Sequence, residues 1–419
     1  MPRTEFLRGF TTNIVCTGLV FGLGAANQAL LARGLGTEGR GQLGLVVTTV
    51  MFASLFLGEF LSRGNTYVTG KEQNSRAVAA NTVIYCFLTM VVLLVAALII
   101  SHIWEGSGNA FLKFPQCYLV SVIIILMVFH RSLQAILLGQ ERLLFYALVP
   151  VVFTVIYLTG NAYVMMLGDL VLGDVLISWV VAGIAVTCMT FTPYVGCLFG
   201  DGGPSRCVDM SLFHRTVGVG LRGAVSVTII FLLFRCDVYI VGYFLGDGAL
   251  GVYMIAVVIA EMMQRLPNVA GVVLLPKIIA GRDRDDTLTL LVARNVFGFS
   301  LVAAVAIWLG GGMLIDLVFG ENYAAAYTPL VWMLPGLVAS GYGSVLNTRL
   351  AGQGYPAITV WAPTAALLIK IIGAVVLIPV LGLNGAAIST SIAYALWAAI
   401  ITIHYVRVTS VTLRNFSHG

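Results

Sequence analysis

Charge is what this sequence has least of. Lys and Arg number 23 and Asp and Glu 18 among 419 residues, 10% of the chain, where a soluble domain carries about 25%. So few charges cannot cover a surface facing water, which excludes a string of soluble domains. Long polar stretches are also missing. The longest connections, around 102–115 and 201–215, run to only about 15 residues, so no extramembrane catalytic domain fits between the apolar segments. No P-loop, HExxH or GxSxG string occurs, and neither nucleotide-driven work nor hydrolysis is encoded by motif. The string Gly246-Asp247-Gly248-Ala249-Leu250-Gly251 satisfies GxGxxG, but it follows no strand of a βαβ unit and reads as a turn between apolar segments. The seven cysteines (Cys16, Cys86, Cys117, Cys188, Cys197, Cys207 and Cys236) show no CxxC spacing. They read as small apolar residues, neither a disulfide framework nor a zinc site. The net charge of +5 is spread singly over short loops, without the basic patch that nucleic acid requires.

Apolar runs are what is there. Segments of the length that crosses ~30 Å of hydrocarbon at ~1.5 Å per residue fall at 10–32, 42–62, 77–101, 116–139, 144–168, 174–199, 216–244, 251–275, 289–313, 329–351, 357–380 and 385–406. The first, although preceded by Arg3 and Arg8, is too long for a signal peptide and is expected to be an uncleaved membrane helix. Twelve crossings put both ends on one side. Sorting the basic residues by connection supports the count, since 15 of them gather on one face and only Arg33, Arg40 and Lys113 on the other. By the positive-inside rule both termini are expected in the cytoplasm.

The chain also repeats. Leu35-Gly36 with Gly41 corresponds to Leu245-Gly246 with Gly251 at an offset of 210, and LLGQERLLFYALVP (137–150) corresponds to LAGQGYPAITVWAP (350–363) at 213, matching Gly139 with Gly352, Gln140 with Gln353 and Pro150 with Pro363. Two near-equal offsets close to half the length imply two six-helix halves, 1–205 and 206–419. An even number of helices per half makes their topology parallel, and the expected substrate site is a central cavity between them.

Four passages carry a resemblance to a known family: NQALLARGLGTEGRGQLGLV (27–46), DVYIVGYFLGDGALGVYMIAVVIAEMMQRLPNVAGVVLLPKI (237–278), LAGQGYP (350–356) and LGLNGAAIST (381–390). Together the sequence resembles the polysaccharide flippases, the O-antigen and exopolysaccharide translocases within the multidrug, oligosaccharidyl-lipid and polysaccharide exporter superfamily. The resemblance implies an all-α polytopic, MATE-like fold of about twelve helices. It implies a bacterial inner (cytoplasmic) membrane transporter, not an enzyme, that flips undecaprenyl-diphosphate-linked oligosaccharide to the outer leaflet by alternating access. Its partners would be that polyprenyl-diphosphate glycan, membrane lipid, and the polysaccharide polymerase or chain-length machinery. No cofactor is implied beyond a coupling proton or sodium ion. The family has no invariant catalytic motif, so no binding residue is handed over.

Candidate residues follow from the energetics of charge in a membrane, where each ionised side chain costs ~2.5–3.5 kcal/mol or more and is suspected of function. A diphosphate headgroup needs basic groups facing water. Arg222, Arg265 and Lys370 are the leading candidates for it, with Arg131 beside them; Asn27 and Gln28 are amides that could hold sugar or bond between helices. Glu261, Asp237, Arg235 and Glu59 are candidates for coupling or gating. Glu261 and Arg265 stand four apart in the order that favours an ion pair on one helix face. Lys370 and Arg222 have no opposite charge within a turn of their own segment, so each is expected to seek another helix or the diphosphate. Pro150, Pro267, Pro276 and Pro335 are candidate bending points. Two other classes remain in view: an exporter of small organic cations, which would favour acidic cavity residues, and a membrane polymerase, ligase or glycosyltransferase, which would call for a large outer loop or acidic cluster.

Overall fold

The computed structural model describes residues 3–72, 75–104, 114–199, 208–279, 283, 286–352 and 356–409. Without water in the hydrocarbon layer, each backbone N–H and C=O must be satisfied within its own segment or by a neighbour, and the described residues accordingly form helices. They are α1 (Arg3–Glu72), α2 (Ser75–Trp104), α3 (Phe114–Gly139), α4 (Leu143–Leu167), α5 (Leu172–Phe199), α6 (Met210–Ile279), α7 (Thr287–Val318), a 3₁₀ turn (Glu321–Ala326), α8 (Tyr327–Gly352), α9 (Ile358–Leu381) and α10 (Leu383–Thr409). Ten are long and apolar enough to span a membrane. Large apolar side chains such as Val92, Val302, Leu309, Met313 and Val380 stand exposed on them, the surface that lipid requires.

Two helices are double. Val15–Lys71 and Gly223–Leu275 are apolar over 57 and 53 residues; a straight rod of that length would run about 80–86 Å, nearly three hydrocarbon thicknesses. Each is broken once, at Gly36 (φ 65°, ψ −175°) and at Gly246 (φ 77°, ψ 177°), a conformation open essentially to glycine alone. Dividing both spans there gives twelve crossings. The sequence pattern suggested loops at 33–41 and 245–250; the helix instead continues to within one residue of each break, because one glycine supplies the whole change of direction.

The chain forms two compact units, one of residues 1–35 and 46–225, the other of residues 36–45 and 226–419. The boundary expected at 205/206 lies outside the described residues. In the first unit, Val68, Ala79, Ala80, Leu133, Leu137, Tyr194 and Leu212 make a buried core. In the second, α8 and α10 approach through small residues: a Cβ on Gly336 would lie 2.4 Å from Ser391 Cα, and one on Gly343 2.9 Å from Ala398 Cα. The start of α6 is held by the Asp209 carboxylate, which accepts the Leu212 N–H at 2.9 Å, and that of α7 by Asp283, which accepts the Leu288 and Thr289 N–H groups. Orphan amides of a first helical turn are thus satisfied.

The repeat is visible in the backbone. Gly41 and Gly251, 210 residues apart, form a reciprocal crossing within the second unit: a Cβ on Gly41 would meet Asp247 O at 1.9 Å, and one on Gly251 would meet Thr37 O at 1.8 Å. A similar crossing joins α1 to the start of α6 within the first unit, through Gly64 against Thr216 O and Gly220 against Phe60 O. The paired prolines also behave alike. Pro150 deprives the Tyr146 carbonyl of its helical donor, and Gln134 Nε2 of α3 fills the gap at 2.9 Å; Pro363 deprives the Thr359 carbonyl, and Ser226 Oγ of α6 donates to it at 3.1 Å. Among the expected bending points, Pro150 is therefore braced by a neighbouring helix.

Gly251→Ala and Gly41→Ala force two backbones apart and are expected to destabilise the protein by about 1–3 kcal/mol or more. Gly18→Ala, with nothing within 4 Å of the new methyl group, is expected to leave the thermal unfolding midpoint in detergent unchanged or slightly raised. Equal midpoints for all three variants would refute the crossing.

Candidate functional site

In the first unit, Glu59 of α1 is buried and holds two arginines. Arg63, one turn later on the same helix, donates Nε to Oε1 at 2.8 Å, and Arg131 of α3 places Nη2 3.3 Å from Oε2. Each carboxylate oxygen thus carries one guanidinium, and the group has a net charge of +1. Arg63 and Arg131 keep 35% and 34% of their side chains exposed. Gly223 of α6 makes room, since a Cβ there would lie 2.9 Å from Arg63 Cδ. Arg131 has five N–H donors and gives one nitrogen to Glu59. About a third of its side chain remains exposed, and a guanidinium's planar fork fits phosphoryl oxygens. Glu59, a candidate for gating, and Arg131, a candidate for the headgroup, are thus brought together. The side chain of Arg222 lies outside the described residues.

In the second unit the charges gather around α6. Arg235 and Glu261 form an ion pair between the two arms of α6 on either side of the Gly246 break. Glu261 was expected to face Arg265 on its own helix; Arg265 is exposed and makes no ion pair among the described residues. The pairing went across the break because Arg235, 14% exposed, is the buried guanidinium and has more to lose without a counter-charge. Arg235 Nη1 is buried without a hydrogen-bond acceptor.

Lys370 was expected to bind the diphosphate or find a partner helix. The structure gives it the partner. Its ammonium on α9 is fully buried, lies 3.1 Å from Asp237 Oδ1 and donates to the Leu233 carbonyl at 2.8 Å. The ring of Tyr394 covers it at 5.3 Å. Asp237 Oδ2 accepts from Tyr253 Oη at 2.5 Å and Thr390 Oγ1 at 3.1 Å. The ammonium thus has a counter-charge, a carbonyl acceptor and an aromatic face within the protein. Asp237, a candidate for coupling or gating, is the centre of this cluster.

Asn27 and Asn161 are both buried, and Asn161 Nδ2 donates to Asn27 Oδ1 at 3.1 Å, an interhelical amide bond of the kind that joins membrane helices. Gln28 is half-buried. Tyr405, placed by its position near a segment end in the interfacial belt, is fully buried. The five cysteines described are free thiols, and among the described residues no three His, Cys, Asp or Glu side chains converge on a metal-sized site. Arg63, Tyr253, Thr390 and Tyr394 escaped the sequence reading. Only Arg63 carries a signal in the sequence, its spacing of four from Glu59.

The profile of the family described as "Polysaccharide biosynthesis protein" matches residues 6–280. No curated protein matches the sequence. Among solved structures, the lipid II flippase MurJ in an inward closed conformation superposes with a TM-score of 0.78 at 15% identity, over 97% of this chain and 89% of that one. An inward-facing MATE-family multidrug resistance transporter of the MOP superfamily gives 0.69 at 16%, over 95% and 98%. A MOP superfamily transporter from Pyrococcus furiosus gives 0.63 at 14%, over 96% and 95%. At such identities the likeness shows the fold, which is that of the MOP superfamily transporters.

The two charge clusters differ in what their loss should do. Asp237→Ala strands the buried Lys370 ammonium and is expected to destabilise the protein by about 3–5 kcal/mol. Glu261→Ala, which leaves Arg235 without its counter-charge but 14% exposed where Lys370 is fully buried, is expected to destabilise the protein by less. Equal losses would contradict this ranking.

Proposed function

The chain belongs to the polysaccharide biosynthesis protein family, and we propose that it flips an undecaprenyl-diphosphate-linked oligosaccharide from the cytoplasmic to the outer leaflet of a bacterial inner membrane. The observation that carries this reading is the Glu59-Arg63-Arg131 group. A diphosphate cannot enter a layer of low dielectric as a bare dianion. Two arginines oriented by one buried carboxylate, each with about a third of its side chain exposed, offer charge-assisted hydrogen bonds to its oxygens. The lipid tail needs no dedicated site, since it can stay in the bilayer while the headgroup is exposed alternately to either side.

The family membership and the gathering of basic residues on one face, with cytoplasmic termini, support the same reading. Sugar recognition is assigned to the amides of α1, with Gln28 the more accessible and Asn27 engaged by Asn161. Glu261 and Arg235, which tie the two arms of α6 together, are assigned to gating, and a proton or sodium gradient or the supply of substrate would drive the cycle. Polymerase or chain-length proteins would receive the product. An exporter of organic cations would need carboxylates free to meet its cargo, whereas Glu59 and Glu261 are both neutralised by arginine.

Arg63→Ala and Arg131→Ala each remove charge-assisted contacts worth about 1.5–3 kcal/mol. Each variant is expected to slow flipping about ten- to hundredfold, so that lipid-linked oligosaccharide accumulates in the inner leaflet while the amount of protein is unchanged. Normal surface polysaccharide in the double variant would overturn the site. Restored resistance to a cationic dye on expression of the chain, with no effect on glycan, would overturn the cargo.

A further inference from the structure

The Lys370 ammonium of α9 meets two oxygens of one arm of α6, and side chains from other helical segments hold the carboxylate that supplies one of them. Leu233 O and Asp237 Oδ1 come from α6, at 2.8 and 3.1 Å. Thr390 Oγ1 of α10 and Tyr253 Oη, from the other arm of α6, both engage the second oxygen of the same carboxylate. The Tyr394 ring closes the remaining side. A simple ion pair would need only the carboxylate. Here a carboxylate, a backbone carbonyl and an aromatic face are all aimed at one buried positive charge, and two hydroxyls hold the carboxylate in place. Carboxylate, carbonyl and hydroxyl oxygens are also the ligands that small hard cations take, and an aromatic face attracts any desolvated cation.

We propose that Lys370 is the resident cation of this pocket, an ammonium delivered by the chain itself in the place where a free monovalent cation would otherwise neutralise Asp237. Asp237 is almost fully buried and needs one positive charge to stay ionised there. The tether supplies it without an entropic cost for capturing an ion. It follows that the second unit holds its charge balance independently of the sodium concentration, and that shortening Lys370 converts the pocket into a site for a small cation. This inference does not depend on the cargo, and its test reads stability instead of transport.

The experiment is thermal unfolding of the purified full chain in detergent, in choline, sodium, potassium or methylammonium chloride at equal ionic strength. The wild-type midpoint is expected to be the same in all four salts. Lys370→Ala is expected to be destabilised in choline and to recover saturably with methylammonium or sodium, since a ligand that binds only the folded state raises its midpoint with concentration. Lys370→Met combined with Asp237→Asn, which removes both charges, is expected to fold and to ignore the salt. Three results would each overturn the proposal: a saturable sodium response of the wild type that Asp237→Asn abolishes, no recovery of Lys370→Ala in any small cation, or a sodium response that persists in the double variant.

Discussion

In a hydrocarbon layer no polar group can turn to solvent, and nearly every feature of this protein answers to that constraint. It makes the described residues helical. It explains why Pro150 and Pro363, each of which orphans a carbonyl, have a neighbour's side chain aimed at the orphan, Gln134 in one unit and Ser226 in the other. It also explains why Asp237 and Lys370, the most deeply buried opposite charges, found each other across helices and drew in Tyr253, Thr390 and Leu233. A polar group left over in such a place costs several kcal/mol, so satisfaction is close to compulsory.

The same constraint limits how the chain can change direction. A loop inside the membrane would expose backbone, and the two breaks at Gly36 and Gly246 do the work in one residue each. Past each break, Gly41 and Gly251 let the two backbones touch with no side chain between them. Helices in lipid gain little from burying apolar surface against one another, so close backbone approach through small residues is a principal source of affinity between them. The repeated glycines are therefore structural joints, and the repeat itself is a repeat of joints.

Charge divides into two kinds. The pair at Lys370 and Asp237 is closed: both side chains are buried, and each meets its opposite charge within the protein. The group at Glu59, Arg63 and Arg131 is open in the sense that about a third of each arginine side chain remains exposed. The closed kind ties α6, α9 and α10 together. The Arg235–Glu261 pair lies between the two, half-exposed and spanning the break in α6.

Much of this could be read directly from residue order. Hydrophobic length set the number of crossings, the distribution of Lys and Arg set the expected orientation, and the offset of 210 marked the glycines at which α1 and α6 break. These are local or additive properties, carried by composition and spacing along one dimension. Which charge meets which was not legible. Glu261 has a basic residue four positions away and yet pairs with Arg235, 26 positions back across the break, and Lys370 pairs with a residue 133 positions earlier. Such choices depend on how each helix is rotated about its axis and how deep it sits beside its neighbours. An apolar helix surface leaves both nearly undetermined, and only the packing of all the helices together settles them.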